Sequence, residues 1–461
     1  MTADIPHLPA EIHRLIAQYV HRVDLPSYRL ANRQLCVIGT EELFSTIVFH
    51  YGTASIDRLN ELSASERLRG CVKTIFWDVN LWKIPRLRDF HEWELYFTQK
   101  ADIDRLRNAC SASEELYVSR FTQLSQNRRE WEAYLDRVED EKKVRKAWER
   151  LQALGCFQNL RSIHIVNGEL LPAHRGLRKV ADQFSCALPA PAILRRGEGT
   201  NDYDSLPGVE ALQPIQQHCK SSLRKLKLNR VHPNVFPLSI LGDFVNLTSL
   251  DIKITAWSHH FRFATKQSKV LVTDGLRMFL ARLPQLECLR IDLNSNENER
   301  EPADRAISTI HQVLGPEHTW SKLRKLSLRH FLATPDTLVS LLDRHSSTLK
   351  DLRFRDINWE VDGNDTPEKG RDISLRSIRH CAWPQVLQRI GDCLSLDHAA
   401  VSGTLGENGD VLGWRLDEND ELAAAVSDHL IRGGQCPLTA DNAEFAIDER
   451  KSTSPFSIAS Q

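Results

Sequence analysis

The first 50 residues carry apolar positions at the spacing of short amphipathic helices. One helical face holds Ile12, Leu15, Ile16, Tyr19 and Val20. Pro9 marks the start of this helix, because a proline in the first turn loses no hydrogen bond. The pattern predicts a second helix from Pro26-Ser27 and a third from Glu41, with a break at Gly39-Thr40. Three helices this short bury too little apolar surface to be stable alone, so another part of the chain or a partner must cover them.

A second pattern, L-x-x-L-x-L with Ile or Phe at some positions, recurs further along the chain. Its copies begin at Leu160, Leu223, Leu247, Leu286, Leu323 and Leu349. The last two apolar positions alternate with another residue, which predicts a short strand that directs both apolar side chains into a core. Between the copies the sequence predicts helices over residues 274–283, 304–314 and 335–344, opened by Thr273, Asp304 and Thr334. The repeating unit is a strand, a turn and a helix, and each unit covers the apolar face of its neighbour.

Other segments complete the predicted order of elements. Further strands are predicted at 47–49, 72–79 and 393–396. Further helices are predicted in the charged segment between residues 87 and 154 and at 417–431. Loops are predicted at 186–209 and 255–272, and the glycine-rich run from Gly403 to Gly409 is interpreted as a surface loop.

Composition narrows the class of protein. The 461 residues include 60 Lys and Arg against 61 Asp and Glu, and a formal net charge of −1 favours neither nucleic acid nor an anionic membrane as the main partner. No apolar run reaches the roughly 18 residues of a membrane span, and the N-terminus lacks the pattern of a secretory signal. The ten cysteines are scattered singly, which is typical of compartments where thiols stay reduced. The expected location is cytoplasmic or nuclear.

The sequence contains no constellation typical of catalysis. The densest Cys/His group is His380, Cys381, Cys393 and His398, and its spacing lacks the close pairs of a zinc site. Nucleophile elbows, phosphate-binding loops and zinc-protease helix motifs are also missing from the sequence. We therefore expect a protein that is not an enzyme and that has no metal and no cofactor. An enzyme on an α/β scaffold is the alternative from another class.

The N-terminal residues resemble the F-box family. The resemblance lies in Leu8-Pro9-x-Glu11-Ile12, in Arg29-Leu30-Ala31-Asn32-Arg33-x-Leu35 and in Leu43-Phe44. It implies a three-helix module that binds the Skp adaptor of a cullin-RING ubiquitin ligase. Six residues are expected to carry this adaptor contact: Leu8, Pro9, Ile12, Ile16, Leu30 and Leu35. The alternative is an ordinary helical hairpin that packs on its own domain.

The recurring motif over residues 160–360 resembles the irregular leucine-rich repeats found behind F-boxes in many fungal proteins. Two of its spacings, 24 and 26 residues, lie within the 20–29 residues of such repeats. The Asn position after the strand is inconsistent, with Asn229 and Asn294 as the best candidates. The concave surface is expected to carry the residues between core positions: Lys227, Asp251, Arg290, Ser327 and Arg353. The alternative is a set of βα units in an α/β domain.

Together these patterns predict an α/β fold, in which an N-terminal three-helix F-box precedes an irregular leucine-rich-repeat-like solenoid with a helical insert. The predicted domains are an F-box over 1–50, a linking strand and charged helical insert over 51–155, a repeat array over 156–400 and a C-terminal segment over 401–461. We expect a substrate-recognition subunit of an SCF (Skp–cullin–F-box) ubiquitin ligase, whose partners are the Skp adaptor and a protein substrate that the sequence does not identify. The alternative is a leucine-rich-repeat scaffold without ubiquitin transfer, in which the N-terminal helices are only a cap.

Overall fold

The structure is a computed structural model with two compact units, Met1–Val231 and His232–Gln461. Each unit combines helices with mostly parallel strands, which confirms the α/β class. The structure describes residues 8–79, 89–90, 128–129, 131–136, 138–140, 143–144, 148–166, 209–231, 244–254, 266–293, 309–359, 382–407, 412–439 and 442–443.

The described part of the first unit alternates helices and strands. Its helices are α1 (Ala10–Tyr19), α2 (Leu25–Leu30), α3 (Arg33–Ser45), α4 (Thr53–Ala64), α5 (Glu66–Arg69) and α6 (Val209–Cys219). Its strands are β1 (Thr46–His50), β2 (Thr74–Asp78), β3 (Ser162–Val166) and β4 (Lys225–Val231). A 3₁₀ helix, Trp148–Cys156, precedes β3. The four strands lie parallel and in chain order, so each pairs with the strand before it in sequence.

The third helix begins earlier than the sequence predicted. The predicted break at Gly39-Thr40 and helix start at Glu41 are wrong, because α3 runs without interruption through both positions. Asn32 caps the helix: its side-chain oxygen accepts a hydrogen bond from the Leu35 N–H at 2.8 Å. The sequence did not indicate this cap, because Gly39 favoured a helix start after the glycine.

Gly39 has a packing role instead of a helix-breaking one. It is buried where α2 contacts α3, and a Cβ atom at this position would lie 2.5 Å from Arg29 Cγ and 3.1 Å from Tyr28 Cδ1. Only a residue without a side chain fits this close approach. The absence of a side chain at Gly39 therefore allows α2 and α3 to approach each other closely.

The parallel register of the first unit aligns the motif positions of neighbouring strands. Ile75 of β2 aligns with Ile163 of β3 and Leu226 of β4, and all three are buried. The strands predicted for the first two motif copies are therefore confirmed. The predicted strands at 47–49 and 72–79 join the same ladder as β1 and β2, where the Phe49 and Trp77 rings pack edge to face at 4.9 Å.

The described part of the second unit repeats this arrangement. Its helices are α7 (Lys266–Ala281), α8 (Ile310–Leu314), α9 (Pro335–Asp343), α10 (Ala382–Cys393) and α11 (Asp420–Arg432). Its strands are β5 (Ser249–Ile254), β6 (Cys288–Asp292), β7 (Lys325–Ala333), β8 (Asp351–Trp359), β9 (His398–Glu407) and β10 (Leu412–Arg415). Strands β5 to β9 are parallel, and β10 is antiparallel to β9.

Four motif copies form one buried row in the second unit: Leu250, Leu289, Leu326 and Leu352. The register confirms the strands predicted there, because alternate side chains enter the same core. Helix α9 also confirms its prediction, and Thr334 caps it by accepting a hydrogen bond from the Thr337 N–H at 3.2 Å. The helix predicted at 417–431 is confirmed as α11.

Two predicted boundaries in the second unit are wrong. Helix α7 begins at Lys266, inside the predicted loop 255–272, and Thr273 is a buried residue within the helix and not its cap. The strand predicted at 393–396 begins later, at His398, because Cys393 still ends α10. In both cases the sequence pattern predicts a boundary at a residue, Thr273 or Cys393, that still belongs to the helix.

The glycine-rich run from Gly403, predicted as a surface loop, belongs to strand β9. Gly403 is buried with φ of 72°, and a Cβ atom there would clash with the Asp356 carboxylate of β8. The glycine supplies a left-handed backbone and leaves room for that carboxylate. The register between β8 and β9 shifts at this level, as in a β-bulge.

Several predictions lie outside the described residues. They concern Asn294, Asp304, His380, Cys381, residues 186–208 and 255–265, and most of the charged segment 87–154. Within that segment residues 131–136 are helical.

Candidate functional site

The outward face of the second unit's sheet carries polar residues in rows across the strands. The register aligns Asp251 with Arg290, Ser327 and Arg353. These residues stand between buried positions of their strands, as the sequence predicted. Lys227, the fifth predicted residue, lies in β4 of the first unit beside His164.

A second row of charged residues was not identified from the sequence. Lys253 aligns with Asp292, Arg329 and Arg355. Each of them directly follows the last apolar residue of an L-x-x-L-x-L copy. The recurrence of a charged residue at this motif position could have identified the row from the sequence. Only the strand register shows that these residues are neighbours.

His330 bridges two carboxylates next to this second row. Its Nδ1 lies 2.8 Å from Asp292 Oδ1 and its Nε2 lies 3.2 Å from Asp356 Oδ2. His330 and Asp356 have φ of 59° and 53°, which residues other than glycine seldom adopt. Gly403 has the same sign of φ in the next strand. Three neighbouring strands therefore leave regular strand geometry at the same level of the sheet.

The two carboxylates set the protonation of His330. Burial alone would lower the pKa of His330, but the hydrogen bonds and charges of Asp292 and Asp356 raise it to about 9. Burial alone would raise the pKa of Asp356, but His330 and the Thr404 N–H, 2.9 Å from Oδ1, lower it. An imidazolium between two carboxylates therefore ties β6, β7 and β8 together.

The residues predicted to bind an adaptor lie in the first unit, in and beside α1, α2 and α3. Ile12 and Ile16 are exposed one turn apart on α1. Leu8 and Pro9 are exposed immediately before this helix, with Pro9 at the N-cap position. The structure thus brings four of the six predicted residues to the start and one side of a single helix.

The remaining two predicted residues lie on the other helices. Leu30 ends α2 and is 87% exposed, whereas Leu35 is half-buried in the first turn of α3. The sequence predicts that Leu15 and Tyr19 lie on an apolar face that another part of the chain or a partner must cover. In α1, however, only Ala17 is buried, and Tyr19 is 90% exposed. The cover that the sequence requires is therefore not supplied to these side chains within the described chain.

The three helices hold one another through contacts on their inner side. Each helix has one buried apolar side chain, namely Ala17, Leu25 and Ile38. Tyr28 Oη donates a hydrogen bond to the His13 carbonyl at 3.3 Å, which ties α2 to α1. The module therefore has its own small core while it presents apolar side chains outward.

Neither a metal centre nor a membrane span is found among the described residues. No group of His, Cys, Asp and Glu side chains in these ranges has the arrangement to hold a metal ion. Cys393 and His398 of the rejected zinc group are exposed, at the end of α10 and the start of β9. None of the helices within these ranges is both long and apolar enough to cross a membrane.

No family model matches the chain, and no curated protein matches it. Function is therefore inferred from two surfaces, the apolar outer side of α1 to α3 and the charged outward face of β5 to β8.

Proposed function

We propose that this chain is the substrate-recognition subunit of an SCF ubiquitin ligase. In this proposal α1, α2 and α3 form an F-box that binds the Skp adaptor. The parallel strands and their helices form an irregular leucine-rich-repeat array that binds a protein substrate. The chain then supplies binding and effective concentration in the cytoplasm or nucleus, and the chemistry takes place on other subunits.

The observation that carries this proposal is the apolar outer side of the N-terminal helices. Ile12, Leu15, Ile16 and Tyr19 are exposed at the spacing of one face of α1. Leu8, Val23, Leu30 and Val37 are further exposed apolar residues of the same module. Clustered exposed apolar side chains on a packed module are typical of interaction sites, because covering them with a partner removes apolar surface from water.

The identity of the partner is supported by the position of the F-box-like residues. Leu8, Pro9 and Ile12, which belong to the Leu-Pro-x-Glu-Ile opening, are exposed and therefore accessible to another protein. Residues needed only for the internal core of the module would be covered. The Skp adaptor is the partner that the resemblance implies for these positions.

The same surface argues against a simple cap. A cap covers the open end of a repeat array with one face and presents a polar face to water. Here Tyr19 and Leu30 are almost fully exposed on the outer side of the helices. This favours a docking surface over the scaffold alternative.

Co-purification with recombinant Skp adaptor tests the proposal with the full-length chain. We expect the Leu8→Ala/Pro9→Ala double variant to retain roughly tenfold less adaptor than the unchanged chain, since truncation of central interface residues costs upwards of about 1 kcal/mol each. Gln18→Ala/His21→Ala is the matched control, because both residues are exposed and polar, Gln18 within α1 and His21 just after its end. Circular dichroism melting of both variants checks that the module stays folded.

Two outcomes contradict the proposal in different ways. If the Leu8/Pro9 variant retains as much adaptor as the unchanged chain, the contact residues are misassigned. If the unchanged chain binds no adaptor, the scaffold without ubiquitin transfer becomes the better description.

A further inference from the structure

We propose that Arg290, Arg329 and Arg355 form an anion-binding site for an acidic segment of a partner protein, which supplies carboxylate or phosphoryl groups. This inference shares one element with the proposed function, namely that the strand array binds a protein. It adds the chemistry of the partner and the residues that recognise it.

The three arginines converge across neighbouring strands of the second unit. The register aligns Arg329 of β7 with Arg355 of β8, and Arg290 lies two residues before their β6 neighbour Asp292. Adjacent strands are roughly 4.8 Å apart, so the side chains share one small area of the sheet. Burial and the positive charges of Arg290 and Arg355 lower the pKa of Arg329, and the negative charges of Asp292 and Asp251 oppose them, so all four charged side chains lie near Arg329.

The carboxylates near Arg329 and Arg355 are less exposed than the arginines themselves. The Asp292 side chain is 7% exposed and that of Asp356 is 11% exposed, whereas Arg329 is 30% and Arg355 is 45% exposed. The short acidic side chains stay near the sheet, and the long arginine side chains extend past them. A ligand that approaches from solvent therefore meets guanidinium groups first.

The nearby carboxylates leave hydrogen-bonding capacity on the arginines. His330 already engages Asp292 and Asp356 at 2.8 Å and 3.2 Å. Arg329 Nη1 is 4.0 Å from Asp292 Oδ2, which is too long for a hydrogen bond. Arg355 Nε donates to Asp356 at 3.3 Å, and its other donors make no hydrogen bond to the residues that the structure describes.

Arg290 contributes the third guanidinium group of the site. Its Nε is buried and makes no hydrogen bond within the described residues, and its nearest carboxylate, Asp251, is 3.9 Å away. The Arg290 side chain as a whole is 34% exposed, so the rest of its guanidinium-bearing chain stays within reach of a ligand. Guanidinium groups bind carboxylate and phosphoryl oxygens in the same forked geometry, so both kinds of acidic side chain suit the site.

Fluorescence anisotropy with labelled peptides and the full-length chain tests this inference. We expect an oligoglutamate peptide to bind, and to bind more weakly as salt is added, because charged surfaces are screened. The Arg329→Gln/Arg355→Gln variant should weaken binding roughly tenfold. A phosphoserine peptide of equal charge identifies the source of the anion: tighter binding assigns phosphoryl groups, and equal binding assigns carboxylates.

Arg389→Gln/Arg432→Gln is the matched control. Both arginines are exposed on helices α10 and α11, and each pairs with one aspartate, Asp343 or Asp428. The control removes the same charge from the chain but leaves the sheet face intact, so it should bind the peptides like the unchanged chain. Should the Arg329/Arg355 variant fail to fold, Arg290→Gln alone should weaken binding about threefold.

Three results would overturn the inference: no binding of either peptide at low salt, equal weakening by both double variants, or tighter arginine-dependent binding of a single-stranded oligonucleotide. Adaptor co-purification on the same variants separates this inference from the proposed function. Peptide binding by a chain that captures no adaptor would leave the anion site standing and remove the ubiquitin-ligase role. Adaptor capture without peptide binding would leave the ubiquitin-ligase role standing and remove the anion site.

Discussion

His330 Nδ1 lies 2.8 Å from Asp292 Oδ1, which joins a residue of β7 to the last residue of β6. The other ring nitrogen lies 3.2 Å from Asp356 of β8. One side chain therefore connects three strands at a level where His330 and Asp356 both adopt left-handed backbone conformations. The ion pairs compensate for backbone geometry that would otherwise be unfavourable.

The free energy of unfolding should fall at alkaline pH as His330 loses its charge. The pKa of His330 is raised from 6.5 to about 9 in the folded state. The charged His330 ring therefore contributes its full stabilisation below pH 6.5, and this contribution disappears as the pH rises through about 9. The loss should be on the order of 1–3 kcal/mol, measured by urea unfolding at about pH 6 and about pH 9.5.

His330→Asn is the matching variant, because asparagine tolerates a left-handed backbone but does not titrate. It should be less stable than the unchanged chain near pH 6 and should show a flatter pH dependence. Parallel pH profiles for the two proteins would show that His330 is not the titrating group.

His345 should give the opposite pH dependence. The Trp320 N–H donates to His345 Nε2 at 3.0 Å, and His345 Nδ1 lies 2.8 Å from the Leu341 carbonyl, so the ring is neutral with its proton on Nδ1. Burial and the neighbouring charges of Arg344 and His318 lower its pKa, while the Leu341 hydrogen bond opposes them. The stabilisation that the neutral His345 ring provides is therefore present above pH 6.5 and is lost as the pH falls below that value.

His345→Ala should cost about 1–3 kcal/mol in urea unfolding, because it leaves the Trp320 N–H buried without a partner. His311→Ala is the control, since His311 is exposed on α8. A loss for His311→Ala as large as that for His345→Ala would contradict the assignment of the effect to the buried hydrogen bonds.

Gly403→Ala should destabilise the chain more than Gly433→Ala. Both glycines have positive φ, 72° and 74°, so both substitutions strain the backbone by roughly 1–2 kcal/mol. A Cβ atom at Gly433 meets nothing within 4 Å, whereas one at Gly403 meets the Asp356 carboxylate. The difference between the two urea midpoints should correspond to a further 1–3 kcal/mol, roughly the cost of overpacking.

Gly39→Ala should lower stability although alanine is the better helix former. The gain in helix propensity is about 1 kcal/mol, but the new Cβ atom would lie 2.5 Å from Arg29 Cγ and force α2 away from α3. We expect a lower melting temperature and weaker adaptor capture. Gly391→Ala in α10 is the control. The atom nearest to its new Cβ would be His429 Nε2 at 3.4 Å, an ordinary contact distance, so the substitution should be neutral or stabilising.

The strands were predictable because alternation in a short segment reports burial directly. Leu289 and Ile291 alternate in the sequence, and both are buried in β6. The helix α1 was predictable from its period for the same reason. Its exposure was not, because the pattern shows which side chains share a face but not whether that face is covered.

The parts that the sequence did not reveal depend on pairs of residues far apart in the chain. His330 and Asp292 are separated by 38 residues, and Thr404 and Asp356 by 48. The meaning of Gly39 and Gly403 depends on Arg29 and Asp356, which approach them only in the folded chain. The glycines therefore suggested a helix break and a loop, although in the folded chain they make space for a neighbouring side chain.

The parallel register also fixes the distance between charges on the sheet. Asp292, Arg329 and Arg355 are aligned on adjacent strands although 37 and 26 residues separate them in sequence. An insertion in the segments that connect these strands would leave the roughly 4.8 Å step between charges unchanged. One extra residue inside β7 would instead turn Arg329 to the opposite face of the sheet. Changes of chain length in this protein should therefore be tolerated between strands and selected against within them.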